Sequence, residues 1–219
     1  MKQLLLAFTH PPPTFDNFVA ARNRELLAAL RAFASGELPE RVLYVWGESG
    51  AGKTHLLKAF SARTDAPLLE EGALGAEDFR RDLFCLDDVG RLPEAAQAAL
   101  FNAFNEHSFS RMVVAAPCAP KDLALRKDLA TRLATGLTYR CLALSDEEKR
   151  LALAAHAETR GFVLAPDVCS YLLTHARRDM PSLIAALDTL DRYSLETGRP
   201  VTLPLLKAAM QADLKLENR

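Results

Sequence analysis

The sequence predicts an α/β domain, a mostly parallel sheet covered by helices on both faces, followed by a smaller all-helical domain. Three observations carry this. Up to about residue 144, short apolar β-rich runs alternate with stretches of helical spacing, the pattern of strands connected by crossover helices. Gly47-Glu48-Ser49-Gly50-Ala51-Gly52-Lys53-Thr54 fits G-x-x-x-x-G-K-[ST] and stands between a strand and a helix. After Leu144 the strands stop, and Ser145-Asp146-Glu147-Glu148 forms a capping box that opens a run of helices. The expected divisions are an extended arm at 1–13, the α/β domain at 14–144 and the helical domain at 145–219.

Each element follows from local chemistry. Pro11-Pro12-Pro13 makes the arm stiff and non-helical. From Asn23 to Phe33, residues Leu26, Leu27, Leu30 and Phe33 share one helical face, and Gly36 and Pro39 end that helix. Arg41 to Trp46 is a buried strand stopped by Gly47, and the glycine loop leads into a helix from Lys53 to about Ala62. Leu68-Leu69 is a short strand, and Leu83 to Leu86 a buried one ending in Asp87-Asp88. Glu94 to Phe104 reads as helix, Met112 to Val114 as strand, Leu123 to Leu133 as helix and Leu137 to Leu144 as the last strand. The capped helix runs to about Arg160 and stops at Gly161. Helices from Pro166 to Arg177, Pro181 to Tyr193 and Pro204 to Leu214 follow, each with proline in its first turn. Val201-Thr202 is the one candidate strand there.

Composition excludes several classes. The chain has 219 residues, is 49% hydrophobic and 25% charged, and carries a formal net charge of -1. Up to residue 142 there are 17 basic and 17 acidic residues, and beyond it 10 and 11. A dedicated DNA-binding module needs a basic excess that neither part has. No run of 18 apolar residues suggests a membrane span, and Leu4 to Phe8 is too short for a signal-peptide core. Cys85, Cys118, Cys141 and Cys169 are far apart with no C-x-x-C pair, as expected of reduced apolar fillers in a cytoplasmic protein.

The loop is the first chemical site. Gly47, Ser49, Gly50, Ala51 and Gly52 are small enough for consecutive backbone N–H groups to wrap phosphates. Lys53 brings a point charge to the β and γ phosphates, and the Thr54 hydroxyl can ligate Mg²⁺ at a helix N-terminus. His55 follows on the same helix, beside the nucleotide or packed under it. Asp87 is placed to hold the Mg²⁺ shell, and Asp88 stands where many ATPases put a water-polarising Glu one methylene longer. ATP or ADP with Mg²⁺ is the expected ligand. The alternative is a bare glycine turn and two acids at a strand exit. His107, His156 and His175 lack ligand spacing, and Phe101, Phe104 and Phe109 read as core or interface residues.

Several segments together resemble DnaA-type AAA+ proteins: TFDNFV with Asn23, GESGAGKTHLL, the strand followed by DD, FNAFNE, RMVVAAP, DLATRL and LSDEEKRLAL, in that order. The resemblance implies an AAA+ P-loop NTPase core with a helical lid. Phe15 and Phe18 would then lie in an N-terminal box around the adenine. The chain stops after the lid, with no basic helix-turn-helix, so the likeness is strongest to the Hda-like regulators that inactivate DnaA. It further implies that Gln3, Leu4, Leu6 and Phe8 form a motif for the sliding clamp (the β subunit of the DNA polymerase). An extended peptide of that kind fills a groove with alternate side chains. DNA would be reached only through the clamp. Arg132 matches the position of an arginine finger offered in trans to ATP on DnaA; the bland reading is a surface Arg paired with Asp128 at i,i+4. Self-assembly of AAA+ type or a homodimer stays open. Two positions depart from the family. Ala115-Ala116-Pro117 stands where a polar sensor is expected, and Pro181 where a lid arginine should reach the γ-phosphate, with Arg177 or Arg178 as substitutes. Firm ADP binding with poor ATP hydrolysis is therefore expected. Rival readings are a self-sufficient helicase-loader-like or remodelling ATPase, and a direct DNA-binding module.

Overall fold

A computed structural model describes residues 12–70, 74–177 and 179–208. Two compact units are distinguished, divided between Ala143 and Leu144.

The first unit is built on five strands: β1 (Val42–Trp46), β2 (Leu68–Leu69), β3 (Leu83–Leu86), β4 (Arg111–Ala116) and β5 (Leu137–Arg140). All neighbours pair in parallel, in the order β2-β3-β4-β1-β5. β1 to β4 are almost wholly apolar because both sheet faces are covered there, whereas edge strand β5 alternates part-buried Leu137 and Tyr139 with exposed Thr138 and Arg140. Leu43, Val45, Cys85, Val113 and Ala115 face α1 (Arg24–Ala34) and α2 (Lys53–Thr64). Val42, Tyr44, Phe84, Leu86, Met112 and Val114 face the other way, onto α3 (Glu94–Asn105) and α4 (Lys127–Ala134). This is the two-residue alternation of a strand, with an apolar partner on each side.

The parallel α/β reading holds, with local differences in extent. β5 ends at Arg140, four residues short of the expected run. Beyond it the chain bonds elsewhere: Cys141 N–H donates to Trp46 O (2.6 Å), and the Asn23 amide brackets Leu142. The 123–133 helix starts only at Lys127, because Pro120–Asp122 forms a separate 3-10 turn.

The second unit packs α5 (Asp146–Thr159), α6 (Pro166–His175), α7 (Met180–Thr197) and a helical stretch at 203–208 around Leu153, Leu172, Leu183, Leu187 and Leu206. The capping box is formed: Glu148 N–H donates to Ser145 Oγ, and Ser145 N–H to Glu148 Oε2 (2.7 Å). α7 begins at the Asp179 cap and runs four residues past Tyr193, to Gly198 in the left-handed region. Residues 201 and 202 form no strand. Among the described residues no helix is long and apolar enough to cross a membrane.

Asn23 is 3% exposed. Its Nδ2 donates to Leu142 O (2.9 Å) and its Oδ1 accepts from Leu142 N–H (2.7 Å). Asn23→Ala leaves both backbone groups without their partner, at a cost of about 1–3 kcal/mol. Urea unfolding should show the unfolding free energy fall by that amount, with a lower midpoint; an unchanged midpoint contradicts the role.

Candidate nucleotide site

The site begins where β1 ends. Gly47 N–H donates to Ala116 O (3.2 Å), and a Cβ at Gly47 would overlap the Cys141 carbonyl. Only glycine lets the chain leave the sheet through this gap. The loop through Ser49, Gly50 and Ala51 then turns into α2, with Gly52 at φ 102°. A Cβ there would stand 2.8 Å from the Phe18 ring.

Lys53 Nζ donates to Gly47 O (2.6 Å) and Glu48 O (2.9 Å), so its ammonium spans the loop mouth. Thr54 Oγ1 donates to Asp87 Oδ2 (2.6 Å), bringing the first turn of α2 to the end of β3. A hydroxyl beside a carboxylate, at the end of a glycine loop, suits a hard cation that keeps most of its waters. Thr54 and Asp87 would hold Mg²⁺, and residues 47–54 the phosphates.

Asp88 is set differently from its neighbour. Its backbone is left-handed (φ 45°), its Oδ2 pairs with Arg91 Nε (3.0 Å), and its Oδ1 is buried without a hydrogen bond. It borders a cavity of about 190 Å³ with Asp87, Glu70, Arg91 and Leu92. β4 enters the site as Ala115 and Ala116, both wholly buried, followed by Pro117. Behind them the Tyr44 hydroxyl donates to Cys118 O (2.8 Å), and burial raises its pKa far above the ordinary phenol value.

The segment before α1 covers the loop. Thr14 and Asn17 bond each other's backbone N–H groups (2.8 and 3.1 Å), closing a compact turn. The two predicted rings separate: Phe15 is 8% exposed, in the core with Leu26 and Phe33, whereas Phe18 is half-buried against Gly52 and 5.6 Å from the His55 ring. His55 Nε2 lies 3.0 Å from Thr14 O.

Arg132, near the end of α4, is exposed, and its Nη2 donates to Asn105 Oδ1 (3.0 Å). It does not pair with Asp128. That carboxylate is taken by Arg126, through Nη2 (2.8 Å) and Nε (3.3 Å). Gln3, Leu4, Leu6 and Phe8 lie outside the described residues, as does Arg178. Arg177 Nε pairs with Asp179 (3.4 Å), and Pro181 sits in the first turn of α7. The thiols behave as fillers: burial pushes Cys85 up to about 12 and Cys141 up to about 11. Arg91, Asn105 and Arg126 escaped the sequence reading. FNAFNE drew notice as a motif, but nothing in it marks Asn105 as a partner for Arg132.

A strand, glycine loop and helix on a β2-β3-β4-β1-β5 parallel sheet, followed in the chain by a helical unit, define an AAA+ fold. The family model for the Hda lid domain matches residues 146–210. A Haemophilus influenzae protein described as uncharacterized is 34% identical over a 212-residue alignment, covering 89% of this chain and 91% of that one. Domain III of the replication initiation protein DnaA from Thermotoga maritima superposes with a TM-score of 0.69 at 23% identity, over 92% of this chain and 98% of that one. AMPPCP-bound DnaA from Aquifex aeolicus gives 0.63 at 20%, over 84% and 66%. RuvB from Thermotoga maritima gives 0.64 at 17%, over 93% and 72%. The chain thus shares a family with the Haemophilus influenzae protein, carries an Hda-type lid domain at residues 146–210 and has the AAA+ fold of DnaA domain III.

Burial holds the His55 pKa below its ordinary value of 6.5, outweighing the Thr14 carbonyl, which favours the charged ring. The folded chain thus takes up this proton less readily than the unfolded one. The contribution of His55 to stability is full above pH 6.5 and declines as the pH falls. His55→Gln should flatten the stability profile below pH 6.5, measured by urea unfolding at several pH values; two parallel profiles contradict this.

Proposed function

We propose that this chain is an adenine-nucleotide-binding negative regulator of replication initiation. It holds ADP or ATP with Mg²⁺ in its own loop, docks on the sliding clamp through Gln3, Leu4, Leu6 and Phe8, and offers Arg132 to ATP bound by DnaA. The observation that carries this reading is the state of Arg132: exposed, on a neutral amide, with Asp128 engaged by another arginine.

The reaction takes place on the partner. Water adds to the γ-phosphorus, the bond to the β–γ bridging oxygen breaks, phosphate and a proton are released, and ADP stays on DnaA. Charge spreads over the transferring group, and a guanidinium brought to it lowers the barrier. Switching DnaA from its ATP to its ADP form ends initiation. The likeness to DnaA and the Hda lid match support DnaA as the partner.

The chain's own site supports binding over turnover. Glycine loop, Lys53, Thr54 and Asp87 suffice to hold a diphosphate. Thr54 and Asp87 would hold Mg²⁺, which would neutralise part of the phosphate charge. Hydrolysis also needs a side chain that orients water, and Ala115, Ala116 and Pro117 have none to offer. Asp88, the remaining candidate base, is paired with Arg91.

In a reconstituted assay with clamp-loaded DNA and ATP-bound DnaA, Arg132→Ala should lower stimulated hydrolysis by about 10³-fold. Its own ADP affinity should be unchanged; full activity in that variant defeats the reading. Gln3→Ala should weaken clamp binding measured by surface plasmon resonance, and equal affinity removes the clamp from the account. The isolated chain should bind ADP firmly yet turn over ATP far below one per second, and many turnovers per second would contradict it.

A further inference from the structure

The surroundings of Arg132 show how a finger can be kept ready. An exposed arginine on a protein with as many acids as bases normally collects a carboxylate. Two lie close in sequence to the Arg132 contact: Asp128, one turn earlier on α4, and Glu106, next to Asn105 at the end of α3. Each has its own cation. Asp128 takes the bidentate fork of Arg126, and Glu106 lies 3.7 Å from Arg80 Nη2 and accepts from Ser108 Oγ (3.3 Å). Arg126 is itself fixed: its guanidinium lies 5.6 Å over the Phe101 ring, and its N–H donates to Gln97 Oε1 (3.1 Å). What Arg132 meets is the neutral oxygen of Asn105.

We propose that Asn105 is a positioning residue for Arg132, and that Arg126 keeps Asp128 from neutralising it. This rests on the reading of Arg132 as a finger given above. A neutral acceptor fixes one edge of the guanidinium without cancelling its charge. A carboxylate at the same place would form a charge-assisted pair about twice as strong as a neutral hydrogen bond. The finger would then have to break that pair before reaching the phosphates of the partner. Arg126 acts by competition, since a bidentate fork is the geometry that best retains a carboxylate.

The test compares six proteins in the clamp-loaded, ATP-bound DnaA assay: wild type, Arg132→Ala, Asn105→Ala, Asn105→Gln, Asn105→Asp and Arg126→Ala. The readouts are the maximal rate of phosphate release and the regulator concentration at half-maximal rate. Asn105→Asp should lower the maximal rate tenfold or more, Asn105→Ala a few-fold, and Asn105→Gln should recover most of the wild-type rate. The half-maximal concentration should stay constant throughout. Arg126→Ala should fall between Asn105→Ala and Asn105→Asp. If Arg132→Ala is inactive while Asn105→Asp matches Asn105→Ala, Asn105 does not work by sparing the charge and the inference is overturned. A change confined to the half-maximal concentration also overturns it, because it marks a docking contact. If Arg132→Ala keeps wild-type activity, the finger reading fails first and this inference with it.

Discussion

The candidate nucleotide site depends on how closely the chain passes at the exit of β1. Leaving the sheet between β4 and β5, the backbone must clear the Cys141 carbonyl while Gly47 N–H reaches Ala116 O. No side chain fits there. Cys141 N–H closes the other side on Trp46 O. With the three strands locked at this point, the loop has one path, over Gly52 and under Phe18, into α2. Lys53, Thr54 and Asp87 take their places as a result, and Thr54 meets Asp87 although 33 residues separate them.

The same crowding explains how β5 joins the N-terminal segment. Past Arg140 the chain is bound by Asn23 and by Arg22, whose Nη2 donates to Ala143 O (2.9 Å). The residues that precede α1 thus hold both the end of the loop, through Phe18 against Gly52 and Thr14 O beside His55, and the end of the sheet domain. Polar groups at this junction are satisfied one by one, as burial requires.

Much of the architecture was legible because it rests on patterns of short range. The apolar runs at Arg41 to Trp46, Leu83 to Leu86 and Met112 to Val114 read as buried strands, and G-x-x-x-x-G-K-T and the capping box are local geometry written in residue types. What escaped is of long range. The run Leu137 to Leu144 reads as one strand, and nothing in it says that Asn23, 119 residues from Leu142, takes over from the sheet there. Phe15 and Phe18 look equivalent in TFDNFV, yet one ring fills the core and the other covers the loop. Arg132 and Asp128 have the spacing of a helical ion pair, but Arg126, two residues from Asp128, takes the carboxylate first. Competition among neighbouring charges is decided by rotamers, which spacing alone does not reveal.

The central claim is that this chain binds one nucleotide and acts on another. It is tested most directly by tracking which ATP is cleaved. DnaA is loaded with γ-labelled ATP, this chain with unlabelled ADP, and both are mixed on clamp-bearing DNA in a single turnover. The account predicts rapid release of labelled phosphate from DnaA while ADP stays on the regulator. Release only when the label starts on this chain, with DnaA-bound ATP untouched, would contradict it.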